Sequence, residues 1–301
     1  MMSGSISGKG KSPGKLFKDL FKGRELKALP FFPLAQKFAA KVGQVDPQLM
    51  WADPAAMVNS LLTAKELCGF DTLTTNIDFT GCEANNALQK QERAGVALEV
   101  TQRLKHMLGD GTVLGCMAEG PFTLSGGLSS SGVWEGAKSF IEARDYLLQQ
   151  VKLMGESRID YFILHEDGLN IPENALTEYL EQTRPIWNAL RYYDVQPILA
   201  LKGSPPHIID TFAPDVSGIA IMDNIFELDL GWLSRIAEQK RICIGLSLPE
   251  AVFTGSLDIL ETILTRIAEH FNRRRIFLLP SGEIPAETEV SNIQDCMKKL
   301  E

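Results

Sequence analysis

From residue 53 onward the apolar positions fall into two alternating patterns, long stretches of helical period and short runs rich in β-branched residues. The short runs predict strands at Leu73–Asp78, Val113–Ala118, Ile159–Leu164, Val195–Leu201, Gly218–Met222, Ile242–Ser247 and Ile276–Leu279. Each is apolar along its length, as a parallel sheet covered by helices requires. The helical stretches fall at 54–68, 95–108, 136–154, 173–193, 206–212, 229–239, 256–271 and 290–300. The first of these is bounded by its own chemistry. Asp53 is placed to cap the free N–H groups, Pro54 presets the first turn, and Gly69 suits a left-handed terminator.

Seven such strands, with Phe31–Leu34 as an irregular eighth between Pro30 and Pro33, predict an α/β fold: a single (β/α)8 TIM barrel with an N-terminal helical extension. A doubly wound open sheet is the competitor, but no glycine-rich dinucleotide or P-loop motif follows a strand. No repeat or low-complexity linker divides the chain, so one domain is expected over 25–301. Residues 1–24 carry Lys9, Lys11, Lys15, Lys18, Lys22 and Arg24 among glycines and serines and read as a flexible basic segment. Leu16-Phe17 and Leu20-Phe21 in it form an amphipathic turn suited to packing on the body.

Composition narrows the function. With 301 residues, 45% of them apolar, the chain supports a large core. A net charge of -8 argues against nucleic acid, which demands a dense basic face. No apolar run approaches the roughly 18 residues that span a bilayer, and no signal peptide is evident, so no membrane association and a cytoplasmic location are expected. Five scattered cysteines (Cys68, Cys82, Cys116, Cys243, Cys296) form no C-x-x-C pair and suggest buried, reduced thiols.

Barrel chemistry sits at the C-terminal ends of strands. The polar residues there are Asp78, then Glu119, then His165-Glu166-Asp167, Lys202, Asp223-Asn224, Ser247, and finally Ser281 and Glu283. Such a ring is mainly acidic and suited to polarising a substrate or moving a proton. For each residue the competing reading is a helix cap, a loop hydrogen bond or a solvated rim charge. Gly120–Gly127 with Ser129–Ser131 reads as a lid or connector before an anion cradle. His106 and His270 fall late in helices, and Phe31, Phe32, Trp134, Trp187 and Trp232 fit packing.

The order of several short motifs resembles the uroporphyrinogen decarboxylase family, which includes corrinoid-linked methyltransferases. The motifs are Lys22-Gly23-Arg24 before Leu29-Pro30-Phe31-Phe32-Pro33, Gly69-Phe70-Asp71 before Ile77-Asp78, and Glu119-Gly120-Pro121-Phe122-Thr123-Leu124. Pro197-Ile198-Leu199 with Gly203, Ile221-Met222-Asp223, and Ile276-Phe277-Leu278 with Ile284-Pro285 and Asn292-Ile293 complete the set. The resemblance implies a single barrel with Asp78 as the counterpart of the decarboxylases' substrate-facing aspartate. Two departures are informative. Leu34-Ala35-Gln36-Lys37-Phe38 lacks the arginines that hold tetrapyrrole propionates, and Ser281 stands for the final-strand histidine. The positions of the methyltransferases' zinc ligands read Ala200, Lys202 and Gly282, so zinc is not expected. The reading is therefore methyl transfer, corrinoid- or folate-linked and without the usual zinc, on a small-molecule donor or acceptor. No tightly bound cofactor is implied, and any corrinoid would be carried by a partner protein. In it Asp78, His165 and Asp167 are catalytic, and Glu119, Glu166, Lys202, Asp223, Asn224, Ser281 and Glu283 bind substrate. Tetrapyrrole decarboxylation, or non-catalytic binding of a corrinoid protein, are the alternatives.

Overall fold

The computed structural model describes residues 12–77, 87–126, 137–169, 171, 173–204 and 206–301. Seven parallel strands, β1 (Thr72–Ile77), β2 (Val113–Glu119), β3 (Tyr161–Asp167), β4 (Gln196–Lys202), β5 (Gly218–Ile221), β6 (Cys243–Leu248) and β7 (Ile276–Pro280), form one sheet in sequence order. Ahead of β1 lie α1 (Pro13–Phe21), α2 (Gln36–Val42), α3 (Pro47–Met50) and α4 (Pro54–Cys68). Between β1 and β4 come α5 (Ala87–Leu108), α6 (Pro121–Leu124), α7 (Ala137–Glu156) and α8 (Glu173–Tyr192). The rest are α9 (Pro206–Phe212), α10 (Leu230–Lys240), α11 (Glu250–Phe253), α12 (Leu257–Phe271) and α13 (Val290–Leu300). Among the described residues no helix is long and apolar enough to cross a membrane.

Local chemistry sets the elements where the sequence placed them. Asp53 Oδ1 accepts from the Ala55 and Ala56 N–H groups at 2.9 and 3.1 Å, and Gly69 ends α4 with φ of 73°. Such a cap contributes about 1 kcal/mol.

The outer face of the sheet packs on the helices, while the inner face curls around three aromatic rings. Phe32 stacks between Tyr161 and Phe277, with centroids 4.5 and 4.7 Å away. These rings occupy space that strand side chains would otherwise fill. A Cβ on Gly115 would lie 2.1 Å from the Tyr161 ring, and one on Gly245 would lie 2.5 Å from that of Phe277. The Tyr161 hydroxyl, buried with them, is hydrogen-bonded to that of Thr74 at 2.6 Å.

The segment carrying Phe32 enters as an irregular strand. Phe31 forms an isolated parallel bridge with Leu278, Phe32 N donates to Leu278 O at 2.8 Å, and Leu278 N donates to Pro30 O at 2.8 Å. Toward β1 the recorded link is a side chain, the Thr72 hydroxyl donating to Phe31 O at 2.7 Å. The expected eighth strand is thus reduced to one bridging residue, because Pro30 and Pro33 lack the N–H groups that a ladder uses.

The line expected at Arg24 between a flexible segment and the body is not where the described structure puts it. Residues 13–21 are helical, and Leu16, Phe17 and Leu20 are buried in the same interior cluster as Phe32, Tyr161 and Phe277. The Phe17 ring lies 5.8 Å from that of Tyr161, and Cys243 Sγ donates to Leu20 O at 3.4 Å. α1 therefore plugs the N-terminal end of the strands, opposite the expected site.

Truncating Phe32 to alanine should cost about 3–5 kcal/mol in urea unfolding, because its cavity is walled by two fixed rings. Gly115→Ala should cost about 1–3 kcal/mol by overpacking the same space.

Candidate functional site at the strand ends

Alternation along the strands decides which polar residues reach the interior mouth. Val113 and Met117 on β2, Tyr161 and Ile163 on β3, and Ile198 and Ala200 on β4 belong to the interior cluster. Side chains two residues further on share that face, which places Glu119, His165, Asp167 and Lys202 at the mouth. Register brings them side by side, with Glu119 opposite His165 and Asp167 opposite Lys202. Lys202 Nζ lies 3.5 Å from Asp167 Oδ2, with both side chains about half exposed (53% and 52%). At that exposure the pair adds at most about 1 kcal/mol to stability and acts mainly to orient both groups.

His165 sits one layer deeper. Its Nε2 is buried with no hydrogen-bond partner among the described residues. Burial pushes its pKa below the ordinary 6.5, partly countered by Asp167 and reinforced by Lys202. The imidazole is accordingly neutral at pH 7 and able to take a proton.

Several expected residues do not join this group. Glu166, expected to bind substrate, faces the opposite way, because both of its neighbours point inward. Its carboxylate is fully buried, accepting from Phe122 N (3.1 Å), Thr123 N (2.8 Å), the Thr123 hydroxyl (2.7 Å) and the Tyr179 hydroxyl (2.6 Å). Burial raises its pKa, and those hydrogen bonds oppose the rise. The first N–H groups of α6, a conceivable anion cradle, are thus taken by an internal carboxylate. Thr123 is a residue the sequence reading missed: its Oγ1 also accepts from Asp167 N at 2.9 Å, tying the buried carboxylate to the mouth.

Asn224 accepts from Phe226 N and donates to Glu227, capping a short 3-10 turn, and so is structural. Asp223, expected to bind substrate, follows inward-facing Met222 and turns to the helical side with Ile221; its Oδ1 accepts from Gly203 N at 2.8 Å, and Ser247 Oγ donates to its carbonyl at 3.0 Å. Ser281 is exposed, its N–H donating to Leu248 O. Glu283 stands across the mouth, where the Gln36 amide, oriented to suit its neighbours, donates to Glu283 Oε1 at 3.2 Å and accepts from Asn76 N at 3.1 Å. Lys37 Nζ is 4.0 Å from Glu283 Oε2. Asn76, half-buried on the inward face of β1, is a second residue missed; its place two residues before Asp78 in an alternating strand was the available signal. Asp78, Cys82, Gly127, Ser129–Ser131 and Trp134 lie outside the described residues.

The positions that the resemblance aligns with zinc ligands do not fit a metal. Ala200 has no donor atom, Lys202 presents an ammonium beside Asp167, and Cys116, Cys243, Cys68 and Cys296 are buried thiols whose pKa burial pushes up to about 12. Among the described residues no group of three or more His, Cys, Asp or Glu is placed to hold an ion.

No protein-family model and no curated protein matches the chain. Solved structures do. A methyltransferase from Methanosarcina mazei superposes with a TM-score of 0.76 at 14% identity, covering 96% of this chain and 99% of that one. The likeness is one of fold. A B12-independent methionine synthase from Shewanella sp. W3-18-1, in complex with selenomethionine, gives 0.64 at 8% identity over 91% and 96% of the two chains. A putative aldo-keto reductase from Pseudomonas aeruginosa gives 0.52 at 14% identity over 91% of each.

Two outcomes follow from the site's hydrogen bonding and burial. The folded-state pKa of His165 lies below its unfolded value, so its contribution to stability is full above pH 6.5 and is lost as pH falls through the lowered value. Urea midpoints measured at about pH 7.5 and about pH 5.5 should therefore drop less in His165→Asn than in the unaltered protein. Glu166→Gln sets an amide NH2 against backbone donors and should cost roughly 1–3 kcal/mol in the same assay.

Proposed function

We propose that this chain is a methyltransferase-like member of the uroporphyrinogen decarboxylase family, its sheet closed by residues 30–34 as the irregular eighth strand of a (β/α)8 barrel. It works in the cytoplasm in corrinoid- or folate-linked methyl transfer. The observation that carries the reading is the match of fold over nearly the whole of both chains to a methyltransferase, joined to a mouth that pairs a neutral imidazole with carboxylates. Fold likeness alone leaves the chemistry open; the mouth narrows it.

Lys202 is the one cation on the inward faces of β2, β3 and β4 at the mouth, and it is held by Asp167. Such a wall disfavours a polycarboxylate and suits a neutral or cationic methyl donor. In the proposed step the acceptor's electron pair forms the new bond to carbon while the donor–carbon bond breaks and its pair stays on the donor. His165 Nε2 takes the proton that the acceptor loses, Asp167 orients the reacting group, and Asp78 positions or protonates the substrate. Glu119 lines the same mouth. A corrinoid presented by a partner protein would supply or receive the methyl group; no zinc takes part in the proposed step.

Methyl transfer from methylcobalamin or methyltetrahydrofolate to thiol and amine acceptors, followed by mass spectrometry, tests the reading. Transfer should be seen with the unaltered protein and fall roughly 10²–10⁴-fold in His165→Gln. Absence of transfer from either donor at stoichiometric enzyme would refute it. Turnover of uroporphyrinogen would turn the assignment to decarboxylation, and capture of a corrinoid protein with no methyl transfer would turn it to a binding role.

A further inference from the structure

We propose a second binding site, for a small organic cation bearing an apolar group, in a cavity behind the β4 and β5 strand ends. The cavity has a volume of about 400 Å³ and lies between α9 and α10, on the side of the sheet away from the mouth. Leu201 and Ile221 from the strands, Ile209 from α9 and Leu233 from α10 form its apolar wall, and half-buried Trp232 adds an indole. Its size and lining suit a small molecule.

Charge decides the class of ligand. Asp223, Glu227 and Asp229 line the cavity, and among the described residues no lysine or arginine does. Each carboxylate uses one oxygen locally: Asp223 accepts from Gly203 N, Glu227 from the Asn224 amide, and Asp229 from Trp232 N. Among the described residues none of the three is in an ion pair. The nearby Arg266 guanidinium is directed instead to the carbonyls of Ile225 and Leu228. Three carboxylates beside an apolar wall and an indole complement an alkyl- or aralkylammonium ion, by Coulomb attraction, burial of the apolar group and cation–π contact. The same features repel an anion. Asp223 links this cavity to the rim through Gly203, yet binding here does not depend on methyl transfer at the mouth.

Benzyltrimethylammonium, with benzyl alcohol and phenylacetate as controls, tests the proposal on the full chain. The readout is the indole N–H resonance of Trp232, assigned by its loss in Trp232→Phe. The cation should shift it saturably, and the two controls should bind at least roughly tenfold more weakly. Asp223→Asn, Glu227→Gln and Asp229→Asn keep an acceptor oxygen at each position while removing charge, so combined they should weaken the cation roughly tenfold or more. Should the triple variant not fold, Asp229→Asn alone should weaken binding roughly twofold or more. An unmoved Trp232 resonance, equal binding of phenylacetate, or unchanged affinity in the folded variants would overturn the proposal.

Discussion

The aromatic stack inside the sheet is the constraint on which the remainder depends. Phe32 can lie between Tyr161 and Phe277 only because β2 and β6 present Gly115 and Gly245 to those rings. That arrangement holds a proline-flanked segment against β7 where a hydrogen-bond ladder is not available on both sides. Packing thus substitutes for pairing. α1 completes the same cluster from below, joining the core through Leu16, Phe17 and Leu20 while Lys15, Lys18 and Lys22 stay outside. With the lower end filled, the charged side chains on the inward faces of β2, β3 and β4 stand at the upper end, where those strands finish.

Once the interior face is fixed, the two-residue period of a strand assigns every neighbour. In the run His165-Glu166-Asp167 the outer two residues face the mouth and the middle one enters the helical layer. A run of three polar residues at a strand end therefore has two functions. Two members are available to a ligand, while Glu166 fastens α6 and, through Thr123, the backbone of Asp167. A carboxylate fully buried among four donors is costly to remove and rigid in position. That rigidity is what a reacting group beside it requires.

Much of this was legible in the sequence for physical reasons. Asp53, Pro54 and Gly69 bound α4 by local hydrogen bonding and backbone preference, which need no tertiary context. The strands were legible because a parallel sheet covered by helices leaves continuous apolar runs, and all seven appear with ends shifted by only a few residues. What local pattern could not give was facing. Glu166 and Asn224 share the composition of their neighbours, and only the position of the interior core separates a buried anchor or a cap from a mouth residue. The segment 30–34 was misjudged in extent for a related reason: its apolar character matches a strand, while its prolines restrict the bonding to one bridge and a threonine hydroxyl. Asn76 and Thr123 escaped notice because neither is chemically conspicuous, and each acquires its place from a partner at least 40 residues away in the chain.

The electrostatic character of the mouth is the step that links architecture to chemistry. Lys202 is restrained by Asp167 and Lys37 stands beside Glu283, so each carboxylate of a polyanionic ligand would meet Glu119 or Asp167 on the β2–β3 wall. A buried imidazole whose desolvation keeps it neutral is free to act as a base: in the proposed step it takes the proton of an acceptor that becomes more acidic as its electron pair goes to carbon. Burial raises the thiol pKa of Cys68, Cys116, Cys243 and Cys296 and so disfavours their thiolates, while Ala200 and Lys202 present a methyl and an ammonium. In the proposed transfer, activation of the acceptor is assigned to the imidazole, with the Asp167 carboxylate beside it to stabilise the positive charge that it acquires.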